Sequence, residues 1–141
     1  MLFRSLAANT SGSYGVAVGY NALTANTTGL YNTAVGRAVL SSSTTGNDNT
    51  AMGHVALSSN TTGGSNTAYG SQALINNTTA SNNTAVGYQA GYSGIITVGN
   101  TLIGYQAGYS QTVSATNGFN TFVGYQAGRA NTSGYGNTYI G

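Results

Sequence analysis

The chain has 141 residues, of which 22 are glycine, and it contains no cysteine, no proline and only 3% charged residues, for a net charge of +2. The absence of cysteine excludes a disulfide framework and any thiolate metal site. Charges this few and this scattered do not form the basic surface that nucleic-acid binding needs, and no stretch approaches the ~20 apolar residues of a membrane span. We therefore expect neither a nucleic-acid partner nor membrane insertion.

A low charge with abundant Gly, Asn, Ser and Thr is also typical of disordered, low-complexity chains. In this chain, however, apolar residues recur at fixed positions from one end to the other. Recurrence of this kind favours order imposed by a repeat, because stacked repeats bury apolar surface that no single repeat buries alone.

The repeat is marked by a glycine after an apolar residue, which recurs every 17 residues with one step of 20. These glycines are Gly19, Gly36, Gly53, Gly70, Gly87, Gly104, Gly124 and Gly141. Three extra residues, supplied within Thr112 to Thr116, predict a loop that bulges from one coil within residues 105–119. The sequence thus predicts one continuous repeat domain over residues 1–141, with about eight coils.

Each full repeat opens with asparagine followed by threonine. The asparagines are Asn32, Asn49, Asn66, Asn83, Asn100, Asn120 and Asn137. Stacked asparagine amides can bond to one another along a ladder, so we expect a ladder at a corner between coils. The threonine that follows each of them is β-branched and favours a strand.

Two residues after the threonine lies a position that is apolar in every repeat, which we name the valine column. It consists of Val18, Val35, Met52, Tyr69, Val86, Ile103, Val123 and Ile140. Because this position never becomes polar, we expect its side chains to point inward and to form the structural core.

The rest of the repeat predicts turns and a narrow interior. The glycine after the valine column predicts a bend at positive φ or a close approach of backbones, and the Asn-Thr-Thr-Gly stretch predicts a second turn. A column of small residues, the alanine column, indicates a tight interior: Ala22, Val39, Ala56, Ala73, Ala90, Ala107 and Ala127. The column directly after the glycine is chemically mixed and should face outward: Tyr20, Arg37, His54, Ser71, Tyr88, Tyr105 and Tyr125.

These features predict an all-β fold, a parallel β-solenoid of the β-roll or β-helix type with 17-residue coils. A helix is disfavoured because Gly, Asn, Thr and Ser dominate and no 3.6-residue apolar period appears. Eight coils spaced by about 4.8 Å would make a rod roughly 38 Å long.

The Asn-Thr-Ala-Val-Gly strings resemble the repeats of trimeric autotransporter adhesin heads, and Asn83 to Gly91 (Asn-Thr-Ala-Val-Gly-Tyr-Gln-Ala-Gly) is still more similar to repeats of predicted phage tail fibres. The resemblance covers residues 5–141, and its period of 17 is longer than that of the adhesin heads. It implies parallel β-rolls packed as homotrimers and a location outside the cell or on the virion surface. No apolar run at the start of the chain has the length of a secretory signal.

Catalytic chemistry has few candidates in this sequence. His54 and Asp48 are its only histidine and its only acidic residue, so paired carboxylates and a cluster of metal ligands are both impossible. We interpret His54 as a surface residue and expect no enzyme activity, no metal and no cofactor. Glycosylation sequons at Asn9, Asn26, Asn60, Asn76, Asn77, Asn82 and Asn131 follow from the richness in Asn and Thr.

Tyrosine is the one chemically rich feature of the later coils. Tyr88, Tyr105 and Tyr125 fall in the outward column. Aromatic side chains pack at protein interfaces and also bind sugars. We interpret the three tyrosines as interface residues, with a glycan contact as the alternative.

Three functions remain open at this level. The first is a non-enzymatic structural segment of an extracellular or phage-tail-fibre-like filament, and the second is an adhesin or receptor- or glycan-binding module. A self-assembling surface filament subunit would be a variant of the first, and ice binding by threonine columns is the third. A thin coil buries little area alone, so we expect a homotrimer or a head-to-tail stack, with Leu102, Phe122 and Tyr139 near the contacts.

Overall fold

Eight short parallel strands stack in chain order into one sheet of a β-solenoid, in a computed structural model that describes residues 4–93, 97–110, 118–132 and 134–141. The strands are β1 (Val16–Val18), β2 (Thr33–Val35), β3 (Thr50–Met52), β4 (Thr67–Tyr69), β5 (Thr84–Val86), β6 (Thr101–Ile103), β7 (Thr121–Val123) and β8 (Thr138–Ile140). This confirms the predicted parallel β-solenoid.

Each strand pairs with the strand one repeat later, so equivalent residues lie directly above one another. Ala34 is aligned with Ala51, and Thr50 with Thr67. The register continues across the longer step, where Thr101 aligns with Thr121. The predicted loop at Thr112 to Thr116 lies outside the described residues.

Every strand ends at the repeat glycine, as the sequence predicted. Gly53 has a φ of 131°, in a region that only glycine adopts readily. A Cβ atom on Gly53 would also lie 2.5 Å from the carbonyl oxygen of Gly70 in the next coil. Both reasons that the sequence offered for this glycine, positive φ and close backbone approach, therefore hold.

The prediction that the valine column forms the core is wrong, because the strand phase is reversed. Val18, Met52, Ile103 and Ile140 are exposed, and Val35, Val86 and Val123 are only half-buried. The buried position is the middle residue of each strand, which we name the inner strand column. It consists of Ala17, Ala34, Ala51, Ala68, Ala85, Leu102, Phe122 and Tyr139, and all but the first and last of these are fully buried.

The physical reason lies in the asparagine that precedes each strand. Side chains alternate along an extended chain, so a residue two positions after an inward asparagine also points inward. Asn32 and Ala34 are both buried, whereas Thr33 and Val35 are not. The expected interface residues Leu102 and Phe122 therefore lie in the interior, while Tyr139 remains 45% exposed.

The opposite wall of the coil is built from the alanine column and the residue that follows it. All seven members of the alanine column are buried, which confirms the predicted tight interior. The next position, the corner column, is leucine in the early coils and glycine in the later ones. Its members are Leu6, Leu23, Leu40, Leu57, Leu74, Gly91, Gly108 and Gly128, and each has a φ between 50° and 62°.

Candidate functional site

The predicted asparagine ladder is present and buried. In each of the five steps from Asn32 to Asn120, one side-chain oxygen accepts two hydrogen bonds from the asparagine of the next coil. Oδ1 of Asn49 accepts from the backbone nitrogen of Asn66 at 3.0 Å and from its Nδ2 at 3.1 Å. The same backbone bond recurs up to Asn137, whose nitrogen donates to Oδ1 of Asn120. The ladder therefore fixes the register of successive coils from inside.

A second asparagine ladder, which the sequence analysis missed, runs along another corner. Nδ2 of Asn26 donates to Oδ1 of Asn9, and Nδ2 of Asn77 donates to Oδ1 of Asn60 at 2.9 Å. Ser43 interrupts this ladder. Among the residues that the structure describes, neither its buried hydroxyl nor the Oδ1 atom of Asn26 has a hydrogen-bond partner.

This second ladder also decides which sequons are accessible. The amides of Asn26, Asn60 and Asn77 are buried in it, so they cannot accept a glycan in the folded chain. Asn9, Asn76 and Asn82 are exposed. The Asn-Thr pattern of the buried sequons thus serves the fold.

A glutamine ladder runs from the coil of β4 to the coil of β7. Nε2 of Gln89 donates to Oε1 of Gln72, Nε2 of Gln106 donates to Gln89 at 2.8 Å, and Nε2 of Gln126 donates to Gln106 at 3.0 Å. The Tyr-Gln-Ala string of the repeat was the available signal for this ladder. Sequence reasoning used its tyrosine and its alanine and left the glutamine unexplained.

The surface with the largest exposed apolar content is the outer side of the sheet, which we name the outer face. Exposure alternates along each coil, so four positions point outward, as at Tyr31, Thr33, Val35 and Arg37 in the coil of β2. The two central columns of this face are the threonine column (Val16, Thr33, Thr50, Thr67, Thr84, Thr101, Thr121 and Thr138) and the valine column. Neither central column contains a charged residue.

The two edges of the outer face differ in composition. The first edge column consists of Tyr14, Tyr31, Asp48, Ser65, Asn82, Gly99, Phe119 and Gly136. The second is the column after the glycine, which is exposed as predicted except that Ser71 is half-buried. In the second edge column, Nη1 of Arg37 lies 2.9 Å from Nε2 of His54. The only acidic residue and the only histidine of the chain thus lie on opposite edges of one face.

The tyrosines of the second edge column stack on one another. The ring centroids of Tyr88 and Tyr105 are 5.6 Å apart, and those of Tyr105 and Tyr125 are 5.2 Å apart with nearly parallel planes. Stacking covers the ring faces, on which sugars pack. Tyr125, at 70% exposure, has the most accessible ring of the three.

Further aromatic contacts follow the same stacking rule. Tyr92 and Tyr109 stack at 4.8 Å, and the guanidinium of Arg129 lies 5.6 Å from the Tyr109 ring centroid. Tyr14 and Tyr31 stack at 4.9 Å on the first edge of the outer face. Aromatic ladders along the axis are therefore a general device of this surface.

The described part of the chain holds no group of three residues suited to bind a metal ion. Within the same residues, no helix is long and apolar enough to cross a membrane. No family model, no curated protein sequence and no solved structure matches this chain.

Proposed function

We propose that this chain is a non-enzymatic structural segment, a stiff β-solenoid rod within an extracellular or virion-surface fibre. The observation that carries the proposal is the continuity of the ladders along one axis. Backbone bonds, asparagine amides and corner threonines each connect a coil to the next, as where Oγ1 and the backbone nitrogen of Thr27 both donate to the carbonyl oxygen of Thr44. Because each coil is bonded to the next in this way, the rod resists bending and stretching along its axis.

The surface chemistry supports the same function. Titratable side chains other than tyrosine are few, and the described residues hold no group of three that could converge on a metal ion. Acid–base and nucleophilic catalysis both need titratable groups brought together. A structural function needs only shape, stiffness and a surface that packs.

Two measurements test the structural proposal. Small-angle scattering should show a rod whose length per copy is roughly 34 Å, from the steps of about 4.8 Å between successive strands of the eight. Antibodies to the chain should label intact virions or unbroken cells of the source. A flexible coil in solution, or labelling only after cell lysis, would contradict the proposal.

A glycan- or receptor-binding function is the second candidate, and the exposed ring of Tyr125 favours it. It predicts that Tyr125→Ala abolishes binding to a glycan array, while Tyr105→Ala, in the middle of the stack, changes binding less. Absence of any glycan signal for the unaltered chain would remove this candidate and leave the structural proposal intact.

Ice binding has less support from the surface. The outward threonine column is regular, but Met52 and Tyr69 project from the middle of the neighbouring valine column, where exposure reaches 57%. Side chains of such different size interrupt a flat lattice-matching surface.

A further inference from the structure

We propose that the outer face packs against the outer face of a second copy of this chain, with the two copies parallel and in register. Asp48 of each copy then lies opposite Arg37 and His54 of the other. The inference deepens the proposed structural function by naming the partner of the rod and the surface that it uses.

The first argument is that one side of the sheet lacks a cover. Parallel sheets are almost always covered on both faces. Here the inner face packs on the alanine and corner columns, whereas the outer face exposes Met52, Tyr69 and Ile103 at 38%, 57% and 37%. Contiguous exposed apolar surface of this kind marks an interaction site.

The second argument is area. Eight strands about 4.8 Å apart span about 34 Å, and the four outward columns, which include the bends at Tyr31 and Gly36, span at most about 20 Å. The face thus offers at most about 700 Å² per copy, or about 1,400 Å² for a pair, which reaches the range of stable interfaces. Because the central columns carry no charge, two copies of this face can approach without electrostatic repulsion between those columns.

The third argument, the placement of the charges, selects the orientation. When two copies meet face to face and parallel, the first edge column of one lies against the second edge column of the other at the same coil. Asp48 then meets His54 in its own coil, with Arg37 one coil away, and Tyr31 meets Arg37. An antiparallel pair would place Asp48 against Gly99 of the partner copy and desolvate the carboxylate without a cation, which is costly.

A two-fold axis along the rod exchanges both edges at once, so the pair of copies is closed. The apolar central columns supply most of the contact area. The charged edges set the direction and the register, which is the usual effect of charge complementarity.

A pair of charge-reversed variants tests the proposal. Asp48→Arg makes both edges basic, and Arg37→Asp combined with His54→Asp makes both edges acidic. Each variant alone should associate at least about tenfold more weakly than the unaltered chain in sedimentation equilibrium. An equimolar mixture of the two should restore association, because each edge then meets its opposite.

The matched control is Arg4→Asp, which makes a similar charge change at an exposed residue outside the outer face. It should associate like the unaltered chain. Circular dichroism of every variant shows whether a loss of association reflects a loss of the fold. If both charge-reversed variants are folded and associate normally, the proposal is overturned.

Cross-linking tests the orientation independently, because the chain contains no cysteine. Under mild oxidation, chains carrying Ser65→Cys should form disulfides with chains carrying Ser71→Cys, their opposite in the parallel arrangement. Chains carrying Asn82→Cys would react instead with Ser65→Cys in an antiparallel pair, and that result would overturn the proposal. A monomeric unaltered chain would also overturn it, while rod dimensions measured on that monomer would leave the structural function standing.

Discussion

The early and late coils share one backbone but fill it differently. In the coils of β2, β3 and β4, the inner strand column is alanine and the corner column is leucine, as in the pair Ala34 and Leu40. In the coils of β6 and β7 the sizes are exchanged, so that Leu102 is followed by Gly108 and Phe122 by Gly128. The coil of β5 lies between them and has small residues at both positions, Ala85 and Gly91.

The exchange follows from limited space inside a 17-residue coil. A Cβ atom placed on Gly108 would lie 2.8 Å from Cδ2 of Leu102, closer than real Cβ atoms come to a neighbour. The two columns therefore compete for one volume, and a large residue in one requires a small residue in the other. The size of the side chain at one of these positions therefore shows how the interior is filled only when the residue at the other position is also known.

The surface differs along the same boundary. The Asn9–Asn26 and Asn60–Asn77 steps of the second asparagine ladder lie in the early coils, whereas the glutamine ladder starts only at Gln72 in the coil of β4, and the Tyr88 stack lies in the later coils. What both regions keep is the glycine column and the first asparagine ladder. The glycine column and the first asparagine ladder therefore define the coil. The remaining features are alternative ways to pack its interior and to form its surface.

The largest expected effect concerns what both regions share, the glycine column. Gly53→Ala in the early coils and Gly104→Ala in the late coils should each cost about 4 kcal/mol or more of unfolding free energy, because positive φ and a backbone clash combine. Chemical denaturation measures the loss. Gly15→Ala is the control, since its Cβ atom would meet only the carbonyl oxygen of Asn32 at 3.6 Å. Unequal losses at Gly53 and Gly104 would show that the two regions do not share one backbone requirement.

The second prediction transplants the early filling into a late coil. Leu102→Ala alone should cost about 3 kcal/mol by leaving a cavity, and Gly108→Leu alone should cost about 2 kcal/mol by overpacking. The double variant restores the Ala and Leu pair of the early coils and should lie within about 1.5 kcal/mol of the unaltered chain. Additive losses in this double-mutant cycle would show that the two columns fill separate spaces.

The sequence predicts well which residues of this chain lie above one another. It predicts poorly which strand side chains point inward and which point outward. A fixed period of 17 determines which residues lie above one another, so the Asn66 ladder and the strand register could both be predicted. The phase of the strand could not be read from apolarity, because Ala85 and Val86 both belong to uniformly apolar columns. The buried asparagine two residues before Ala85 held the missing information, since side chains alternate.

The candidate site was predicted less completely, for a related reason. The outward column with Tyr88, Tyr105 and Tyr125 was identified because its mixed chemistry indicates exposure. The outer face as a whole was missed, because its valine column had been assigned to the core. The placement of Asp48 and His54 on opposite edges of that face depends on which strand residues point outward. It could not be predicted before the strand phase was known.

The third prediction compares the first asparagine ladder, which runs through both regions, with the glutamine ladder, which starts at Gln72. Asn66→Ala should cost about 3 kcal/mol, because it removes the acceptor of the buried backbone nitrogen of Asn83 and one of the two donors to the buried Oδ1 of Asn49. Gln106→Ala removes two half-buried hydrogen bonds, one to Gln89 and one from Gln126, and should cost about 1 kcal/mol because the groups left behind can bond to water. Thermal unfolding under identical conditions ranks the two. Equal losses would mean that burial does not distinguish the ladders.

The smallest expected effect is a gain in stability, at the gap in the second asparagine ladder. Ser43→Asn would place an amide between Asn26 and Asn60, where it could donate to the unpaired Oδ1 atom of Asn26 and accept from Nδ2 of Asn60. One restored buried hydrogen bond should raise the unfolding free energy by about 1 kcal/mol. Ser42→Asn is the control, because it adds the same side chain one residue earlier, in the half-exposed column where Asn76 occurs naturally. If Ser43→Asn destabilises the chain while Ser42→Asn does not, the corner at Ser43 is too narrow for an amide. The missing ladder step would then follow from the space that the leucine side chains of the early coils occupy.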